Sequence, residues 1–282
     1  MIDEAVLPAA TRRRGWLAVF VLFVVVAAGF LVGRQLEASA QSTVPSVLAS
    51  ASASVSVSVA PPIVPPAPVL EAAALPPPTE ALQLPGAIPE KGSGSFTYAS
   101  GHGKILGTGG PLRRFRVAVE KGSGADPAEF AADVEAILGD ARSWTGGGSL
   151  RLQRVGGADA ANFTVHLATR VTAGQMCARG GTNIRISGRP YTSCRTSGKA
   201  IINLDRWRLS AKPYVAAKAP LEAYRQYVIN HEVGHELGHR HEGCPKAGSP
   251  APVMVQQTIT LRGCLPYSWP RRGSGFLTGP RR

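Results

Sequence analysis

Acidic residues, histidine and cysteine are all scarce in this chain of 282 residues. Only 18 Asp+Glu stand against 31 Lys+Arg, a formal net charge of +13 at pH 7, and after residue 90 the balance is 12 against 27. So little negative charge rules out an acidic solvating tail and suits anionic surroundings such as cell-wall polymers or lipid headgroups. No five basic residues run together and no aromatic repeat interleaves them, so no nucleic-acid partner is expected. The 4 cysteines include no Cys-x-x-Cys pair, which argues against a structural four-cysteine zinc site. All of them, Cys177, Cys194, Cys244 and Cys264, follow residue 176, and an even count outside the cytoplasm implies two disulfides. Three pairings are possible; the local one, Cys177 with Cys194 and Cys244 with Cys264, closes short loops and is the one expected.

Charge is also missing from Gly15 to Gly33, just after Arg12, Arg13 and Arg14. As a helix this stretch would be roughly 28 Å long, close to the hydrocarbon thickness of a bilayer. The arginines keep residues 1–15 in the cytoplasm, residues 16–33 form a signal anchor, and everything after is exported. Ala38-Ser39-Ala40 offers a rival reading, a signal peptide cleaved after Ala40 that would release a secreted protein. Residues 34–90 are Ala, Ser, Val and Pro, with Ser-Val repeats at 54–59 and proline clusters at 61–67 and 76–78. Such a composition cannot bury a core and reads as a disordered spacer lifting a domain from the membrane.

Residues 91–270 have the size of one domain, followed by a basic tail at 271–282. Strand-like segments at 95–99, 104–107, 113–119, 150–154, 163–168, 183–187 and 200–204 are punctuated by Gly and Pro. Asp126-Pro127-Ala128-Glu129 supplies an N-cap, a first-turn proline and an early carboxylate, with Phe130, Val134, Ile137 and Leu138 along one face of the helix they open. A second long helix runs from near Pro220 to about Leu237. The expected fold is α+β, a twisted mixed sheet with one packing helix and one site-bearing helix.

That second helix carries the chemistry. Residues 231–241 read His-Glu-Val-Gly-His-Glu-Leu-Gly-His-Arg-His and contain 4 of the chain's 6 histidines. His231 and His235, four apart on a helix, share a face and can grip one metal ion. Glu232 lies about 100° round the axis, better placed to take a proton from water at the metal than to ligate. Gly238 can adopt φ > 0, end the helix and swing His241 back as the third ligand, leaving a fourth position open as catalytic zinc requires. His239 is an alternative third ligand, but it follows the broken helix too closely and is expected outside the ligand set. Glu236 and Glu242 read most simply as solvated or paired with Arg240.

The full pattern, with Met254 in the turn-forming Ala251-Pro252-Val253-Met254, resembles the metzincin clan of zinc peptidases. The resemblance implies that Met254 lies beneath the metal, that Zn2+ is the cofactor and that the fold is metzincin-like. It also implies that an edge strand near Ile201, Ile202 and Asn203 pairs with an extended substrate; an ordinary core strand is the other reading of the same residues. Glu242 resembles the astacin-type choice after the third histidine. The tyrosine that assists the metal in astacins would fall at Gln256, so that help is absent or comes from elsewhere, such as Tyr267. A closer resemblance, over about residues 91–270, is to mostly actinobacterial exported, membrane-anchored domains without an established substrate. They share Asn-His-Glu-x-Gly-His-x-Leu-Gly-His-x-His-Glu-x-Cys and Pro-Val-Met-x-Gln-Gln-Thr, matched here by Asn230–Cys244 and Pro252–Thr258.

The expected function is therefore zinc-dependent hydrolysis of a protein or peptide substrate outside the membrane, with Glu232 as general base. Two alternatives stand beside it, a zinc hydrolase of peptidoglycan peptides and a non-catalytic wall-binding module that uses the basic surface.

Overall fold

The computed structural model describes residues 81–282. The expected cytoplasmic tail, membrane segment and most of the spacer lie outside the described residues. Among the described residues no helix is long and apolar enough to cross a membrane.

The chain forms β1 (Phe96–Tyr98), β2 (Ile105–Leu106), β3 (Leu112–Glu120), α1 (Pro127–Gly139), a 3-10 turn (Trp144–Gly147), β4 (Arg151–Arg154) and β5 (Phe163–Ala168). There follow α2 (Arg170–Arg179), β6 (Arg185–Ile186), β7 (Arg189–Pro190), β8 (Cys194–Thr196), β9 (Lys199–Asn203), α3 (Leu204–Leu209) and α4 (Lys212–Ala216). Last come α5 (Leu221–Glu236), β10 (Arg271–Arg272) and β11 (Gly275–Phe276). Seven strands make one mixed sheet in the order β2-β4-β3-β5-β9-β8, with β1 also alongside β3. β4, β3, β5 and β9 run parallel; β1, β2 and β8 are antiparallel to their neighbours. The architecture is thus α+β with a mixed sheet, as expected.

Every residue of β5 is buried because the sheet is covered on both faces there, and Phe-Thr-Val-His-Leu-Ala accordingly lacks the alternation of a half-exposed strand. α1 and α5 pack on one face over a core that includes Phe115, Leu152, Val165 and Ile202. α2 covers the other face, where Ile201 meets Ala173, Cys177, Ile184 and Cys194. The two-residue period of β9 sends Ile202 and Ile201 into these opposite cores. α1 begins as its sequence dictates, with the Asp126 carboxylate accepting from Ala128 N and Glu129 N, a cap worth about 1 kcal/mol.

Four expectations are corrected. The sheet carries more than one packing helix, since α2, α3 and α4 join α1; their residues lack a long apolar stripe and are ordered by the elements around them. β9 is not an edge. It pairs with β5 on one side and β8 on the other, and Ile201, Ile202 and Asn203 are fully buried. The exposed edge is β8, turned back onto β9 by the two-residue loop Ser197-Gly198, with Gly198 at φ 71°.

Residues 81–90, expected within the spacer, lie along the domain. Leu84 N donates to Arg208 O (2.8 Å), Leu221 N donates to Ala81 O (2.9 Å), and Glu90 pairs with Arg170. An extended proline-rich segment has no hydrogen bonds of its own and obtains them here from α3 and the start of α5. The basic tail 271–282 folds back likewise, as the β10–β11 hairpin and then a strap beside His241.

Candidate metal centre

α5 reaches the site with its middle clamped. The Asn230 amide accepts from the Ser143 hydroxyl (2.7 Å) and donates to Ser268 O (3.2 Å), while Trp144 Nε1 donates to Asn230 O (2.9 Å). One residue later His231 faces into the site, and His235 follows one turn on. The helix ends at Glu236, Gly238 takes φ 99°, and the chain returns to place His241 beside the first two histidines. The turn carries out the reversal anticipated for Gly238.

His231, His235 and His241 each offer a ring nitrogen, and these atoms all lie within 4.8 Å of one another. His231 Nδ1 donates to Val253 O (2.7 Å) and His235 Nδ1 donates to His239 O (2.8 Å). A carbonyl oxygen can only accept, so both rings carry their proton on Nδ1 and present a bare Nε2 to the centre. His235 Nε2 and His241 Nε2 are 3.1 Å apart. Imidazole nitrogens that share one tetrahedral metal ion stand about 3.3 Å apart, so this pair is already spaced to hold one, and the His231 nitrogen stands within 4.8 Å of them. Burial, and then the neighbouring imidazoles, hold the His231 pKa well below its ordinary value; burial lowers that of His235 and, joined by His235, that of His241 to about 4. All three are neutral at pH 7, the form that binds metal.

Glu232 lines the same cavity, 5% exposed, and no group among the described residues hydrogen-bonds its carboxylate. Burial alone raises its pKa to about 8. A dication on the adjacent imidazoles would pull that value down and supply the missing counter-charge.

Met254, 2% exposed, is buried in the core against the site helix. A Cβ on Gly234 would stand 2.7 Å from Met254 Sδ and 2.7 Å from Trp144 Cζ2, so helix and turn touch where glycine leaves no side chain. Three buried tyrosines hold the turn. Tyr227 Oη donates to Val255 O (3.0 Å) and accepts from Gln257 N (2.9 Å); Tyr214 Oη donates to Gln257 Oε1 (2.9 Å); Tyr224 Oη shares a proton with Thr258 Oγ1 (2.9 Å). The Tyr227 hydroxyl is therefore committed to the backbone. Tyr267, expected as a possible helper, donates to Arg271 O and stands outside the cavity. Gln256 does line it.

His239 stays out of the ligand set. Its ring stacks on Trp144 with centroids 4.2 Å apart, and only its carbonyl serves the site, by orienting His235. Neither Glu236 nor Glu242 pairs with Arg240. Glu236 accepts from Arg195 Nε (2.8 Å) on β8 and from Lys199 N (3.0 Å), fastening the end of α5 to the edge strand. Glu242 accepts from Gly279 N (3.1 Å), part of a strap in which Pro280 O accepts from Gly243 N (2.7 Å) and Arg282 N donates to His241 O (3.2 Å). Sequence reasoning missed both fastenings because each partner lies more than 30 residues away in the chain. The disulfides are those expected, Cys177–Cys194 joining α2 to β8 and Cys244–Cys264 joining the His241 loop to the segment beyond Met254.

A family model described as "Protein of unknown function (DUF3152)" matches residues 83–264, more than half of the chain. No curated protein matches, and no solved structure does.

Proposed function

The chain belongs to the DUF3152 family, and we propose that it is a zinc-dependent, metzincin-like peptidase acting on protein or peptide substrates outside the cytoplasmic membrane. The observation that carries this reading is three convergent neutral imidazoles beside a buried, unpaired carboxylate. A purely structural zinc site is closed by a fourth protein ligand and has no use for a free base.

His231, His235 and His241 would hold the ion, which in such sites acts as a Lewis acid toward water and a substrate carbonyl. Glu232 takes the proton that water gives up and returns it to the departing amine. Val253 O and His239 O keep two of the imidazoles in the ligating tautomer. Met254 and Gly234 set the depth at which the rings sit. β8, the free edge beside the cavity, supports backbone pairing with an extended peptide, the role first expected of β9.

The test compares two variants. Glu232→Gln should keep about one zinc per chain and lose peptidase activity, while His235→Ala should lose the metal. An active Glu232→Gln protein would sink the mechanism. Gln256 at the place of the clan's tyrosine favours the non-catalytic wall-binding reading. Under that reading, binding to purified wall survives a chelator, whereas hydrolysis of protein or wall peptide should vanish on chelation and return with zinc.

A further inference from the structure

The two sides of the histidine cluster differ in chemistry. On one side lies a cavity of about 310 Å³ whose mouth is flanked by Ile186 and Ile259, 41% and 48% exposed. Both are large apolar side chains left in solvent by a domain that buries most of its kind, and they line one cavity from separate segments, Ile186 on β6 and Ile259 in the loop after Met254. Across His235 and His241 lies a shallower groove of about 490 Å³ lined by Arg195, Arg240 and Arg282.

Glu236 is the one side-chain carboxylate lining that groove, and Arg195 Nε and Lys199 N occupy it. Among the described residues Arg240 and Arg282 form no ion pair. The backbone is held near the cluster at both, since Arg240 precedes His241 and Arg282 N is bonded to His241 O. Two guanidiniums thus line the groove beside His235 and His241 with no acidic side chain paired to them, in a domain with few acidic residues. Guanidinium favours the planar, two-oxygen geometry of a carboxylate.

We infer that the site takes an acidic peptide segment, with a carboxylate side chain in the Arg240–Arg282 groove and an apolar side chain at the Ile186–Ile259 mouth. The inference rests on the peptidase reading for its placement across a scissile bond. The carboxylate adds binding on one side of the metal and steers a negatively charged chain toward it; the apolar contact fixes register on the other.

Binding to a protein that cannot cleave tests it. Full-length Glu232→Gln protein, zinc-loaded and in detergent, is titrated into two fluorescein-labelled, end-capped peptides, and anisotropy is recorded. One peptide carries two aspartates close to a leucine; its twin has asparagines in their place. The aspartate peptide should bind about fivefold more tightly at low salt, the worth of two exposed ion pairs, and the preference should fade as salt rises. Adding Arg240→Ala and Arg282→Ala should abolish the preference and leave the twin's affinity unchanged. Equal binding of the twins, or a preference that survives both replacements, overturns the inference. Arg240→Lys with Arg282→Lys, which keeps the charge, should retain most of the preference; losing it as fully as the alanine pair would also count against it. Because these readings need no turnover, a wild-type protein that cleaves neither peptide sinks the peptidase reading alone. Equal cleavage of both sinks only the preference.

Discussion

Replacing Gly234 by alanine pits helix propensity against packing. In an exposed helix the change would stabilise by about 1 kcal/mol. Here the added methyl would lie 2.7 Å from Met254 Sδ and 2.7 Å from Trp144 Cζ2. Met254 can bend, but the indole is pinned by its bond to Asn230 O (2.9 Å) and cannot retreat without losing it. Overpacking costs about 1–3 kcal/mol, and two contacts this short put the site at the upper end, about 2–3 kcal/mol, so the net change is a loss of about 1–2 kcal/mol. For a domain of this size that lowers Tm by about 3–6 °C. Melts recorded with a chelator remove any contribution from metal binding. The double variant Gly234→Ala, Met254→Ala should lose less than the two single losses together, by about 1 kcal/mol, because the smaller floor receives the methyl. A Gly234→Ala protein as stable as its parent would refute the argument that this contact dictates the glycine.

Other outcomes follow from the same coordinates. His166 is buried, which lowers its pKa to about 4. The unfolded chain therefore binds its proton first, and stability should fall as pH drops from about 6.5 to 4 and level off below; His166→Gln should flatten that slope by about 3 kcal/mol in urea titrations. An unchanged slope would show that other groups govern it. Tyr227→Phe strips a donor from Val255 O and should cost about 1–3 kcal/mol in urea titrations while leaving kcat within a few-fold; a collapse in kcat at full zinc occupancy would mean the hydroxyl takes part in chemistry. Deleting residues 279–282 removes the strap on His241 and should weaken zinc binding about tenfold in chelator competition, with far-UV circular dichroism unchanged. Unaltered affinity would show that the loop holds its place unaided.

The histidine motif was legible because its spacing is local. One helical turn and one glycine are enough to bring His231, His235 and His241 together, so the cluster that could hold a metal is the one the spacing announced. The central strand was legible too, expected at 163–168 and formed by Phe163–Ala168. The edge was not. Cys194-Arg195-Thr196 reads as a polar loop, and only its pairing with β9 and its bridge to α2 make it a strand, although Ser197-Gly198 was a readable hairpin turn. With β8 unseen, the clan resemblance put the edge at Ile201–Asn203, where the core-strand alternative holds. Arg195 and Glu236, or Glu242 and Gly279, find each other through the fold, and no spacing rule announces them. The proline-rich residues 81–90 looked like spacer because composition records what a segment lacks, not what it can borrow.

The walls around the histidines are fastened from outside. Glu236 ties α5 to β8, Cys177–Cys194 ties β8 to α2, and Cys244–Cys264 with Tyr227 ties down the turn beneath. A cleft braced in this way gives up little freedom when it is filled, so the ordering cost of association would fall mainly on the peptide proposed as its substrate. Short, already extended peptides should then approach the affinity of long ones, and a stiffened, strand-shaped ligand should gain more than a flexible ligand with the same side chains.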